Sequence, residues 1–442
     1  MPTPPRATPI RTALAALAVV AMALPAAAQN WVDITPGGTS PPDRAWASAV
    51  HDAQENRMVV FGGRGVGGDR NDVWAYDLDS GTWTDLTPGS GSAPAPRRTP
   101  GSVYDPAGHR MVTWSGQAPG TFFNDAWAFD LAGGTWTLLA PSGGPPAIRY
   151  GAAVTYDPVA GDLVTFAGFT SSGRFDDTWR LNAAASTWTD VTPVSSPLER
   201  CLHSACYDAV GRRMIMYGGQ NAGPLGDLWA FDLAANTWSE LTPPSGPPAR
   251  FFASNIYDAR NRRVTIFGGN TGSLQNDAWV FDLWTGAWTM LAPTGTPPIA
   301  REGAAAIYDE AGDRMLIFGG NNGSYQNDLW ELANLSGTAT SVRPERGPAA
   351  SGVILHPGAP NPFHPATTVR FELAREARAT LRVYDVRGRA VRTLVSGFLD
   401  AGEHRATWDG RDDAGARVAS GVYLMRLETT HGARTRSLVL LR

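Results

Sequence analysis

The residues able to do chemistry in this chain arrive as a repeated set. Arg44, Arg97, Arg149, Arg200, Arg250 and Arg301 recur at a near-constant interval. A guanidinium presents a fork of donors that grips a carboxylate in two places. Close by in sequence lie Trp46, Tyr150, Phe251, Phe252 and Glu302, which differ from copy to copy. Aromatic faces suit the apolar side of a sugar ring, so the set reads as a pocket for an anionic or sugar-like ligand. His203 stands three residues after Arg200, where other copies carry Ala47, Pro100, Ala152, Ala253 and Ala304. It is a candidate base, and Glu302 a candidate acid, for turning over a sugar acid. A structural reading competes: regularly spaced arginines pair with carboxylates or carbonyls of neighbouring repeats, and the histidine simply packs.

Other chemistries find no residues. The chain has no lysine, so its 37 basic residues are all arginine, and Schiff-base and phosphate-loop lysines are excluded. The 7 histidines are scattered without metal-ligand spacing, and no cofactor is expected. Asp409, Asp412 and Asp413 look like calcium ligands, but the glycines around them favour a hairpin turn. Cys201 and Cys206 fall in one expected strand, about 16 Å apart on opposite faces, too far for a disulfide. Residues 29–349 hold 21 arginines against 32 carboxylates, a net −11, which repels a nucleic-acid backbone.

Repeated elements position these residues. Seven residues after each arginine comes an aromatic or histidine followed by aspartate, from His51-Asp52 to Tyr308-Asp309. An apolar run follows and ends in a glycine doublet or its remnant, as in Gly62-Gly63 and Ala167-Gly168. Then an aspartate precedes a tryptophan by two, as in Asp72 and Trp74 or Asp328 and Trp330. In five copies a second tryptophan follows nine residues later: Trp83, Trp136, Trp188, Trp238 and Trp288. Each unit holds four short β-type runs separated by turn residues. The aspartates before tryptophan are expected to satisfy turn N–H groups, and the tryptophans to fill the space between units.

Glycine doublet, aromatic-Asp and paired tryptophans in register resemble the kelch repeat over residues 31–337. The resemblance implies a six-bladed β-propeller with one four-stranded blade per repeat. The sixth copy lacks its second tryptophan, since position 339 is Ala339. Trp31-Val32-Asp33-Ile34-Thr35-Pro36 matches Trp83-Thr84-Asp85-Leu86-Thr87-Pro88, so the N-terminal segment is expected to complete the last blade. The longer connections fall on one face, with the arginines at its channel mouth, and that face is the candidate binding face.

Both ends carry other signals. Residues 1–28 have Arg6 and Arg11, a short apolar run and Ala26-Ala27-Ala28, the pattern of a secretory signal peptide cleaved after Ala28. No other run is long and apolar enough for a membrane helix. Residues 338–352 read as a linker. After it, alternating runs such as Thr368-Val369-Arg370-Phe371-Glu372-Leu373 predict a small antiparallel β-sandwich over 353–442. Asn361-Pro362-Phe363, Val383-Tyr384-Asp385-Val386-Arg387-Gly388, Trp408-Asp409-Gly410 and Ser420-Gly421-Val422-Tyr423 resemble the type A sorting domain of type IX secretion and the related Ig-like domain of flagellar hook-capping proteins. That resemblance implies passage through outer-membrane secretion machinery and residence outside, or on the surface of, a bacterium with an outer membrane.

The fold class is therefore all-β: a six-bladed kelch propeller followed by an Ig-like β-sandwich. The expected function is a secreted or cell-surface, non-catalytic binding protein for a protein or glycan. The alternative is a secreted carbohydrate-active enzyme, an epimerase, lyase or oxidase, working at the channel mouth.

Overall fold

The computed structural model describes residues 28–335 and, apart from scattered positions, 353–441. The expected leader at 1–28, save its last residue, and the linker at 338–352 lie outside the described residues.

The sequence period becomes six four-stranded antiparallel sheets. Blade 1 comprises Ser48–Asp52, Arg57–Phe61, Val73–Asp77 and Trp83–Asp85. Blades 2 to 5 repeat the pattern, with inner strands Gly101–Asp105, Ala153–Asp157, Ser204–Asp208 and Ser254–Asp258. Blade 6 has Ala305–Asp309, Arg314–Phe318 and Leu329–Ala333, and its outer strand is Asn30–Asp33, with Trp31 opposite Leu332. The inner strands touch in sequence, 1 against 2 and onward, and the inner strand of blade 6 touches that of blade 1.

The second strands are largely apolar because both their faces are covered. Met58, Val59, Val60 and Phe61 are fully buried, as are Met315, Leu316 and Ile317. Six apolar clusters form, each between adjacent blades; one joins Ile307, Leu316 and Phe318 of blade 6 to Met58, Val60 and Trp74 of blade 1. The outer-strand tryptophans pin these contacts. Each packs on the ring that precedes the glycine doublet of the preceding blade: Trp136 on Phe61, Trp188 on Trp114, Trp238 on Phe166, Trp288 on Tyr217, Trp31 on Phe267 and Trp83 on Phe318. Their centroids lie 4.7 to 5.3 Å apart in tilted or edge-on geometry, the favoured arrangement for aromatic pairs.

Both cysteines are free. They do not share a strand: Cys206 lies in Ser204–Asp208, while Cys201 precedes it, separated by the left-handed backbone of Leu202.

The C-terminal region forms a three-stranded sheet of Val353–Leu355, Thr367–Leu373 and Gly402–Trp408. A four-stranded sheet holds Ala377–Asp385, Ala390–Leu399, Gly421–Thr429 and Gly432–Leu440. Their inward residues, among them Phe371, Leu381, Met425 and Trp408, make one core. Asp409 and Asp412 accept N–H groups of Arg411 and Ala416, the turn role expected of them. Among the described residues no helix is long and apolar enough to cross a membrane.

Candidate functional site

The six arginines are consumed inside their own blades. Each is at most 1% exposed. In blade 5, Arg250 Nε donates to the Pro248 carbonyl and Nη1 to the Gly268 carbonyl. Nη1 and Nη2 fork onto the two oxygens of Asp277 at 2.5 and 2.9 Å. Asp277 also accepts the Trp279 indole N–H at 2.7 Å. The same set recurs for Arg44 with Asp72, Arg97 with Asp125, Arg149 with Asp177, Arg200 with Asp227 and Arg301 with Asp328. The aspartates before tryptophan thus hold guanidinium and indole groups. Turn N–H groups are capped instead by aspartates at strand ends, such as Asp77, Asp130 and Asp232. The fork is also confined to one blade, whereas the sequence suggested pairing between neighbours.

Burial alone would raise the carboxyls of Asp125, Asp227 and Asp277, but their arginines outweigh it and hold them below the usual carboxylate range.

Two residues past each arginine the chain turns into the channel mouth. Trp46, Thr99, Gly151, Leu202, Phe252 and Gly303 all have left-handed backbone, with φ between 53° and 65°. Backbone hydrogen bonds link them around the channel: Trp46 N–H to Gly303, Thr99 to Trp46, Leu202 to Gly151, Phe252 to Leu202 and Gly303 to Phe252, at 2.7 to 3.0 Å. This collar fixes the main chain and leaves the side chains to vary. Left-handed geometry is costly for tryptophan, leucine or phenylalanine, and such strain concentrates at functional sites. Glycine is required at two positions. A Cβ on Gly303 would stand 2.2 Å from the Trp46 ring, and one on Gly151 would stand 2.5 Å from Leu202. The two glycines let these larger neighbours lie across the mouth.

A cavity of about 390 Å³ opens above the collar. Trp46, Tyr150, Phe252 and Tyr325 give it aromatic walls, and Arg64, Arg98 and Gln117 give it polar ones. The Trp46 ring stands 5.8 Å from both Phe252 and Tyr325. Tyr150 stacks on Phe122 at 5.6 Å. Arg64 and Arg98 both approach Asp69 Oδ1, at 3.3 and 3.7 Å. Two guanidinium groups against that one carboxylate leave this wall net positive.

Of the residues singled out from sequence, Trp46, Tyr150 and Phe252 therefore line the cavity, while Arg44, Arg97, Arg149, Arg200, Arg250 and Arg301 are tied up behind it. Phe251 backs Phe252 at 5.9 Å. Glu302 accepts a hydrogen bond from Asn270 at 2.9 Å, and burial raises its carboxyl above the usual range. His203 lines the channel below the collar, 7% exposed, with its ring edge-on to Phe166. Glu302 and His203 line no common cavity.

Sequence reasoning missed Arg64, Arg98, Gln117 and Tyr325. For Arg64, Arg98 and Gln117 the usable signal was the residue after each fixed arginine and the residue after each glycine doublet; Tyr325 lies in a loop at neither position. These pair with each other at the mouth end of a blade, as Arg98 with Gln117 and Tyr150 with Phe169, and they vary while their neighbours repeat.

Comparison with known proteins agrees with the repeat and domain organisation. The KLHDC2/KLHL20/DRC7 Kelch-repeats domain model matches residues 19–198 and 192–356. The FlgD Ig-like domain model matches residues 363–433. The chain is 27% identical over 204 residues to acyl-CoA-binding domain-containing protein 6 of Oryza sativa subsp. japonica, covering 43% of this chain and 30% of that one. It is 33% identical over 184 residues to human multiple epidermal growth factor-like domains protein 8, covering 37% of this chain and 6% of that one. Over 142 residues it is 29% identical to dynein regulatory complex subunit 7 of Chlamydomonas reinhardtii, covering 31% of this chain and 12% of that one. The chain thus spans less than a third of each of these relatives.

Proposed function

Because this chain belongs to the kelch-repeat family, and carries a FlgD Ig-like domain after its repeats, we propose that it is a binding protein that recognises its partner at the channel mouth. Kelch-repeat domains are protein-interaction modules. One observation carries the assignment to the mouth. At the collar six blades share one backbone conformation yet present Trp46, Thr99, Gly151, Leu202, Phe252 and Gly303, so identity there is set by something other than the repeat. The partner is a protein or glycan with an apolar ring or side chain for the aromatic walls and hydrogen-bond acceptors for Arg64 and Arg98.

We further propose that the protein acts outside the cell or on its surface. The leader-like pattern at 1–28 supports export, and the sorting-domain motifs support use of the C-terminal domain for type IX secretion or anchoring. Exported protein should begin at Gln29.

The sugar-converting alternative has no geometric support, since its acid and base, Glu302 and His203, do not converge on one point.

The test is binding of the whole chain to arrays of extracellular peptides and glycans. Trp46→Ala and Arg98→Ala should each weaken the captured partner at least about tenfold with the melting temperature little changed. Binding indifferent to both substitutions would place recognition elsewhere, and turnover of a captured sugar would overturn the non-catalytic reading.

A further inference from the structure

The repeat region is acidic, yet its mouth is not. Residues 29–349 hold 21 arginines against 32 carboxylates, a net −11. The wall of the mouth cavity holds two guanidinium groups, Arg64 and Arg98, and no carboxylate. Their partner Asp69 keeps only 4% of its side chain in water and does not line the cavity. Glu302 lies outside the lining too, and is bonded to Asn270.

These two arginines differ from the six that serve the fold. Arg44 has four donors occupied, and so do its counterparts. Among the described residues Arg64 makes one side-chain hydrogen bond, from Nη1 to Asp69 at 3.3 Å. Arg98 approaches the same oxygen only to 3.7 Å, beyond hydrogen-bonding distance. Their side chains keep 32% and 23% of their surface in water, so most of their donors can meet a ligand. Arg174 extends this side of the mouth. Its guanidinium lies 5.3 Å over the Phe169 ring and makes no salt bridge among the described residues. Burial raises the Tyr150 phenol, and Arg174 and Arg98 both lie close enough to pull against that rise.

A guanidinium with open donors is matched by an oxyanion, which it grips in two places. Charge alone contributes little at a part-exposed site, so the other walls must supply the rest. Phe122 and Tyr150 stack at 5.6 Å with their planes 8° apart, a flat platform beside the arginines. Thr99 and Gln117 add groups that both donate and accept. The space, about 390 Å³, is at the lower end of small-molecule sites, which run from about 300 to 1,000 Å³. A ring that carries an apolar face, hydroxyls and an anion in one unit satisfies all three kinds of wall at once. A sugar acid is such a unit. An acidic peptide side chain brings the anion without the flat face or the hydroxyls, and the net −11 repels a nucleic acid.

We propose that the mouth binds an acidic saccharide, its anionic group held by Arg98 and Arg64 and its ring lying against the aromatic walls. Arg174 strengthens the positive field on the same side. This names a ligand class for the recognition site proposed above and rests on that reading. Uronates and sulfate-ester sugars share the anion, and the test separates them.

Titration calorimetry on the full chain tests it. The probes are short oligomers of galacturonate and glucuronate, galactose 6-sulfate, the neutral galactose and glucose counterparts, and hexaglutamate. At least one acidic saccharide should bind about tenfold more tightly than its neutral counterpart. That preference should shrink as salt rises from about 0.05 to 0.5 M, because part-exposed charges are screened. Preference for a uronate identifies a carboxylate, and preference for the sulfated sugar identifies a sulfate ester. Arg98→Gln should weaken the acidic saccharide about tenfold and close the gap to the neutral one. The melting temperature should change little, because the ion pair with Asp69 is long and part-exposed. If Arg98→Gln does melt lower, Arg98→Lys should restore the melt but only part of the affinity, since it keeps the charge and loses the fork. Four results overturn the proposal: neutral saccharides bind as tightly as acidic ones, no acidic saccharide binds at millimolar concentration, Arg98→Gln keeps full affinity, or hexaglutamate binds more tightly than every saccharide. If no acidic saccharide binds but the partner captured on arrays still loses affinity in Trp46→Ala, the mouth remains the recognition site and only the saccharide assignment falls.

Discussion

Two rings of residues surround the axis of the repeat region, and they obey opposite rules. The Arg–Asp–Trp ring is chemically identical in all six blades, buried and internally satisfied. The collar, two residues further along, is identical only in its backbone. The first ring shows what a repeat must keep in order to fold. The second shows where a repeat is free to differ, because its hydrogen bonds run through main-chain atoms and leave the side chain uncommitted. Arginine at a channel mouth invites a ligand role, but a guanidinium with four of its five donors occupied and at most 1% of the residue exposed has little to offer one.

Breaking the first ring should have the largest effect. Arg250→Ala leaves Asp277 and the Gly268 carbonyl without their guanidinium. Removing one partner of a buried pair costs about 3–5 kcal/mol, and the lower end applies here because Asp277 keeps 24% of its side chain in water. Urea unfolding measures it. Arg250→Lys should rescue little, since an ammonium cannot fork across two oxygens. Unchanged stability with lost ligand binding would reverse the roles assigned to the two rings.

Acid should separate them next. Asp125, Asp227 and Asp277 have carboxyls held below their unfolded values. Asp208, at the opposite end of its inner strand, is pushed down to about 2: burial would raise it, but the Tyr257 hydroxyl, the Gly211 N–H and Arg213 prevail. A lowered folded pKa favours the folded state above the unfolded pKa near 4, and that contribution is lost as pH falls through the folded value. The melting temperature should therefore begin to decline near pH 6.5, where unfolded histidines take up protons that buried His51 and His203 refuse, and fall more steeply between about 4 and 2 as the carboxylates are protonated. A profile flat from neutral pH to about 5 would show that these two histidines do not resist protonation in the folded state.

The smallest effect should come from the collar. Gly303→Ala places a methyl against Trp46 in left-handed backbone, at a cost of about 1–2 kcal/mol. It should also push the indole off the mouth, so ligand affinity should fall further than stability does. Calorimetry and a melting curve on the same variant make that comparison. Equal losses would mean that the collar is merely structural.

Much of the fold was legible beforehand. The register of glycine doublets and tryptophans counted the repeats, and the unmatched Trp31 located the outer strand of the sixth sheet, because a missing packing residue must come from elsewhere in the chain. The site was legible only in part. Trp46, Tyr150 and Phe252 stood out as irregular neighbours of a regular arginine. Tyr325 did not, because it comes from a loop of the sixth blade that reaches Trp46 of the first only when the ends of the ring meet.

The amino-acid sequence by itself determined the period, the strand order within each blade and the all-β character of both regions. Those depend on local spacing and on alternation between neighbouring residues. Only the tertiary structure decided that the arginines serve the fold and that Asp72 and its counterparts hold them. Those outcomes depend on which donors find acceptors in space, and residues some 28 positions or a whole blade apart meet only through the folded chain.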